Sequence, residues 1–170
     1  MRTALLPALL LVVACGGATS GPAASSASPP SSTASAAPLV FVADLTSALP
    51  ASDPESSCTG SVRVTIDPTK RPPLQLVTAS FELVMRGCAS DTEIVGAHVH
   101  PVNESGPVRI DALIDRLSLP GGAGTGRSTN PGVNPRAVDE ISADPSAHIF
   151  NLHTTRHPGG GVRGTLRRGS

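Results

Sequence analysis

Between Ser61 and Ile66 the chain alternates without a break, with Ser61, Arg63 and Thr65 on one parity and Val62, Val64 and Ile66 on the other. Val77, Ala79, Phe81, Leu83 and Met85 repeat the pattern against Thr78, Ser80 and Glu82. Successive side chains of a strand point to opposite faces, whereas a helix repeats every 3.6 residues, so a period of two demands half-buried antiparallel strands. Further strands are predicted at Leu39 to Leu45, Glu93 to Val102, Val108 to Ile114, His148 to Thr154 and Gly161 to Arg167, separated by clusters of Gly, Pro, Asn and Asp. Many short strands with such punctuation predict an all-β antiparallel sandwich or barrel. The stretch from Leu119 to Arg136 is rich in Gly, Pro and Asn and reads as a mobile surface loop. Within it, Gly121 to Ser128 has the spacing of a phosphate-binding loop with Arg127 in place of the lysine. Asn130-Pro131-Gly132 follows where a helix is required, so nucleotide binding is rejected.

The amino terminus has a basic start at Arg2 and an apolar run from Ala4 to Val13, too short to span a bilayer and suited to a secretory leader. Val12-Val13-Ala14-Cys15-Gly16 places small residues directly before a cysteine and resembles the lipobox of bacterial lipoproteins. That resemblance implies a signal peptide over 1–14, lipidation of Cys15 and a membrane anchor in the cell envelope, where several acyl chains on one residue hold stably. Residues 15–38 are dominated by Gly, Pro, Ala, Ser and Thr, which bury nothing and form a solvated tether. Residues 39–170 are enough for one domain with its own core.

Composition narrows the function. Lys plus Arg number 13 and Asp plus Glu 13, so there is no basic footprint for nucleic acid. With three Phe and no Tyr or Trp, the chain lacks aromatic platforms on which bases or sugars stack. With Cys15 lipidated, Cys58 and Cys88 remain, and an exported compartment lets them form a disulfide. A thiolate metal site is the weaker alternative, because neither cysteine has a second one nearby at zinc-ribbon spacing.

The chemistry-bearing residues are histidines. In Gly96-Ala97-His98-Val99-His100-Pro101, His98 and His100 share a strand face, about 7 Å apart at the Cα atoms, with Val95, Ala97 and Val99 on the other. Downstream, His153 of Asn151-Leu152-His153-Thr154 shares a face with Ile149 and Asn151 and is the better third metal partner, while His148 lies opposite with Phe150 and Leu152; His157, in the turn that follows, is a further candidate ligand. Neutral imidazoles from two strands can hold copper or zinc and leave an open coordination position. Equally, the same rings can hydrogen-bond to one another, to Asn151 or to backbone and tie the strands together. No Gly-x-Ser-x-Gly or other nucleophile motif accompanies them, so the sequence leans away from an enzyme without deciding the point.

The ordered set Phe41 to Leu45, Thr59 to Asp67, Ala97-His-Val-His100, Asn-x-His-Thr and Val162-Arg-Gly-Thr-Leu166 resembles the CHRD domain, first described in chordin and found in many bacterial envelope proteins. Gly161 stands where that family commonly has an acidic residue, and Ile149 where an aromatic is usual. The resemblance implies an immunoglobulin-like or superoxide-dismutase-like β-sandwich or barrel, acting as a binding or scaffolding module for an envelope or extracellular protein. A shorter resemblance, over Gly96 to His100, is to copper-zinc superoxide dismutase, which implies the rival reading of a copper- or zinc-binding envelope metalloprotein. The dismutase's zinc loop has no counterpart here. Arg163, between Gly161 and Gly164, is read mainly as a structural clamp on a buried carboxylate such as Asp67 or Glu82, and otherwise as a contact for a partner.

Overall fold

The computed structural model describes residues 37–103 and 106–170. The leader, Cys15 and nearly all of the tether expected from the sequence lie outside the described residues.

The alternating segments form the strands that their period demands. β1 (Leu39–Ser47), β2 (Thr59–Arg71), β3 (Leu76–Arg86), β4 (Glu93–Pro101), β5 (Ile110–Asp111), β6 (Leu117–Ser118), β7 (Gly124–Val133), β8 (His148–Thr154), β9 (Val162–Thr165) and β10 (Arg167–Arg168) make one sheet, with α1 (Pro135–Ala143) before β8. The main path is β5-β4-β8-β9-β1-β2-β3-β7, with β6 on β4 and β10 on β1, and the pairings are antiparallel. The sheet rolls into a nearly closed all-β barrel. Its two ends approach where Asn130 Nδ2 of β7 donates to the Asp111 carbonyl of β5 at 2.9 Å and the Ser128 hydroxyl donates to the Ala112 carbonyl.

The inward parity of each strand fills the barrel. All three phenylalanines, Phe41, Phe81 and Phe150, are buried, and Phe81 of β3 meets Phe150 of β8 across the interior with ring centroids 6.1 Å apart. Burying side chains of this size contributes about 1.5 to 3 kcal/mol each. Cys58 and Cys88 are joined as a disulfide beside the paired ends of β2 and β3, where Thr59 faces Arg86.

Three segments depart from expectation. The expected loop over 119–136 is instead mostly β7, paired with β3 from Val77 to Met85. A Cβ on Gly124 would lie 2.8 Å from Leu119 Cδ2, and one on Gly126 2.7 Å from Leu117 Cδ2, so the missing side chains make room for leucines. Pro131 is tolerated because β7 ends the main path of the sheet. No helix was expected, yet Asn134 caps α1 by accepting from the Arg136 N–H at 2.9 Å, Pro135 fits the first turn, and Ala137, Val138 and Ile141 are buried. Of the strand expected over 108–114 only Ile110–Asp111 pairs, and Leu113 takes φ 49°, which ends the ladder.

Candidate functional site

β4 and β8 lie side by side, with Gly96 opposite His153, His98 opposite Asn151 and His100 opposite Ile149. β9 extends the same rows, placing Arg163 beside Asn151 and Thr165 beside Ile149. The register shifts between Ile94 and Gly96. Ile94, Ala97 and Val99 therefore face the core while Val95 is only half-buried, so Val95 does not share their face as the unbroken alternation predicts.

The register brings His98, His100 and His153 together on the outer face of the barrel. Ring centroids are 4.9 Å apart for His98 and His100 and 4.6 Å for His98 and His153. Opposite His153, Gly96 has no side chain, and a Cβ there would lie 3.9 Å from the His153 ring carbon Cδ2. The imidazole thus lies close over the strand and reaches His98.

Backbone carbonyls set the state of two rings. His100 Nδ1 is 3.0 Å from the Pro101 carbonyl and His153 Nδ1 is 2.8 Å from the Pro158 carbonyl. A carbonyl only accepts, so Nδ1 carries the proton in both rings and each neutral Nε2 presents a bare lone pair. That of His153 accepts from the His98 Nδ1–H at 3.3 Å, so His98 carries its proton on Nδ1 until a metal takes its place. His100 Nε2 is buried with no hydrogen-bond partner, an exception among buried polar atoms that calls for a physical reason.

Burial and neighbouring charge keep His98 and His100 neutral. Burial, then the proximity of His153 and His100, pushes His98 down to about 4, against a weaker opposing pull from Asp111. His100 is lowered by burial first, with the Pro101 carbonyl opposing and His153 and Arg163 adding to the depression. Neutral imidazole is the metal-binding form.

The fit to an ion can be tested on these distances. Tetrahedral zinc with Zn–N bonds of about 2.0 to 2.1 Å has ligand nitrogens about 3.3 to 3.4 Å apart. The 3.3 Å between His98 Nδ1 and His153 Nε2 has that span. As the side chains stand, no three His, Cys, Asp or Glu groups among the described residues are placed to share an ion. His98 and His153 form the seat, and His100 would have to be drawn in by the metal.

The remaining candidates lie elsewhere. His157 Nε2 turns away to Asp53, 3.1 Å from its Oδ2. His148 is buried, with Nδ1 3.0 Å from the Asp144 carbonyl. Asp67 and Glu82, the carboxylates considered for Arg163, are part-exposed and pair with Arg71 and Arg127. Arg163 instead borders a groove of about 410 Å³ shared with Asp44, Thr46, Val102, Ile149 and Thr165. Residues that sequence reasoning passed over include Glu55, Thr92 and Thr154, which form a buried hydrogen-bonded set. Thr154 carried a signal, as the neighbour of His153; Glu55, in the loop after β1, carried none.

The family model described as CHRD domain matches residues 41–166, which spans the barrel from β1 to the residue before β10. No curated protein and no solved structure matches the chain significantly.

Proposed function

The chain belongs to the CHRD domain family, and from that premise we propose that it is a lipid-anchored protein of the bacterial cell envelope whose domain acts as a binding module, the ligand best suited to it being a copper or zinc ion. The observation that carries this reading is the nitrogen pattern of the three histidines. Two rings have their Nδ1–H groups held by backbone carbonyls, the arrangement in which an outer partner orients a metal-binding imidazole. The metal-facing nitrogens are the His100 and His153 Nε2 atoms and His98 Nδ1: His153 and His98 stand at tetrahedral span, where an ion would replace the proton they now share, and His100 is buried and unpartnered. A set of imidazoles without thiolate or carboxylate suits copper or zinc over magnesium or calcium. Three ligands leave a fourth position for water or an outside group, and nothing in the arrangement requires turnover.

The anchor rests on the leader and Cys15, and the tether sets the domain off from the membrane on its outer-membrane, periplasmic or cell-surface side. A scaffolding role toward an envelope or extracellular protein is the second reading, favoured by the groove beside the histidines, which sets Val102 and Ile149 among Asp44, Thr46 and Arg163.

Cys15→Ser tests the anchor: the protein should leave the membrane fraction, and unchanged sedimentation would refute lipidation. Purified without a polyhistidine tag and titrated with zinc or copper, the chain should bind one ion. His98→Ala and His153→Ala should each weaken binding by more than the roughly 10- to 100-fold typical of losing an outer partner. Absence of stoichiometric binding in the folded wild type would remove the metal reading and leave the scaffolding one.

A further inference from the structure

Glu55 is the one charged residue with no exposure at all among the described residues, and neither the barrel core nor the histidine seat uses it directly. We propose that Glu55 is a positioning residue for His153, acting through Thr154 and the turn that follows; this rests on the metal reading only for its effect on affinity.

A buried carboxylate is costly unless its oxygens are satisfied. Here Oε1 accepts from the Thr92 hydroxyl at 3.0 Å and Oε2 from the Thr154 hydroxyl at 2.8 Å. Arg156 Nε and His157 Nε2 stand farther off, at 3.9 and 4.0 Å. A hydroxyl has a single proton, so Thr154 Oγ1, having given its proton to Glu55, can only accept elsewhere. It accepts from the His157 N–H at 3.0 Å. The His157 and Thr154 backbones close the same turn, with His157 N to Thr154 O at 3.1 Å and Thr154 N to His157 O at 3.2 Å. The next residue, Pro158, supplies the carbonyl that holds His153 Nδ1 at 2.8 Å.

The carboxylate therefore fixes the direction of one hydroxyl, the hydroxyl fixes the turn, and the turn fixes which nitrogen of His153 carries the proton. Asp53 also meets the turn, with its Oδ2 3.1 Å from His157 Nε2. A carboxylate that served only to stabilise the barrel would have no reason to influence the tautomer of a ring three hydrogen bonds along this chain of contacts.

The test uses the full mature chain carrying Glu55→Gln, Thr154→Val or Thr154→Ser, with Glu93→Gln, which removes an exposed pair with Arg116, as a control for general destabilisation. The readouts are the nitrogen-15 shifts of the His153 ring in the metal-free protein and the zinc dissociation constant. Thr154→Ser and Glu93→Gln should keep the Nδ1–H form and wild-type zinc affinity. Glu55→Gln and Thr154→Val should mix the tautomers and weaken zinc by about 10- to 100-fold, as loss of an outer partner does. A folded Thr154→Val that retains the Nδ1–H form overturns the proposal, whether or not zinc binds. If Glu55→Gln does not fold, the Thr154 pair decides. A wild type that binds no zinc but loses its tautomer in Thr154→Val would sink the metal reading and keep the positioning one.

Discussion

Cutting the Cys58–Cys88 link offers a prediction whose magnitude follows from the topology. The cysteines are separated by 30 residues of sequence. Loop-closure entropy of about −2.1 − 1.5R ln n then gives roughly 3.6 kcal/mol of stabilisation at 25 °C, acting on the unfolded chain. The folded side of the balance should change little. Thr59 already faces Arg86 in the β2–β3 register, Ser47 N–H donates to the Cys58 carbonyl at 3.0 Å, and Cys88 N–H donates to the Gly122 carbonyl at 3.0 Å. The ends are thus held together by the sheet once it forms. Urea unfolding of the oxidised protein, the reduced protein and the Cys58→Ala/Cys88→Ala variant separates the contributions. Reduction should lower the unfolding free energy by about 3 to 4 kcal/mol, and the double variant should lose somewhat more because Cys58 is 1% exposed and its sulfur fills core space. A reduced protein within about 1 kcal/mol of the oxidised one would refute the entropic argument and place the constraint in the hairpin itself.

Two further outcomes bear on the histidine face. Gly160 has φ 94° and a Cβ there would stand 2.2 Å from Asn151 Nδ2, so Gly160→Ala should destabilise the protein by about 1 to 3 kcal/mol and weaken zinc by disturbing the row that holds His98; unchanged urea midpoints would contradict this. His98 is held down to about 4 from an ordinary 6.5, so in metal-free protein the unfolded chain takes up its proton first as pH falls. The stability from its neutral form is then complete above about 6.5 and is lost as pH falls toward 4. Full burial would make that displacement worth about 3 kcal/mol, but the ring is half-buried, and solvent screening reduces it to about 1 kcal/mol. Urea titrations with chelator between pH 4 and 7, compared with His98→Gln, should show that difference; identical slopes in the two proteins would count against it.

Much of the barrel is legible because its central strands are half-buried, and a half-buried strand writes its two faces into alternate residues. β2 and β3 declare themselves in this way, with Val62, Val64, Ile66, Phe81 and Leu83 all turned inward. β7 does not, because its positions facing Leu117 and Leu119 are glycines, and a strand that yields space to its neighbours has the composition of a loop. The helix α1 hid for a related reason. Asn134-Pro135 is a sound cap and first turn, but the same pair inside a Gly- and Pro-rich stretch reads as a turn when the amphipathic segment after it spans only Pro135–Ala143.

The site divides along the same physical line. Period two tells which face a side chain takes, so His98, His100 and His153 could be assigned to outer faces from sequence, even though a bulge at Val95 interrupts the count before them. It does not tell which residues become neighbours across strands. That depends on the register that sets Gly96 opposite His153, and a slip of one residue would have carried the His153 ring to the core face. His157 shows the limit, since a turn residue has no period and its ring points to Asp53. Glu55 lies beyond it altogether: an acid among Ser, Asp and Pro has the composition of solvated chain, and only the convergence of Thr92 and Thr154 from β4's approach and β8's end makes its burial tolerable. Where hydrogen bonds from distant elements are what permits a residue's position, no local pattern can announce it, and the tautomer of His153 inherits that dependence.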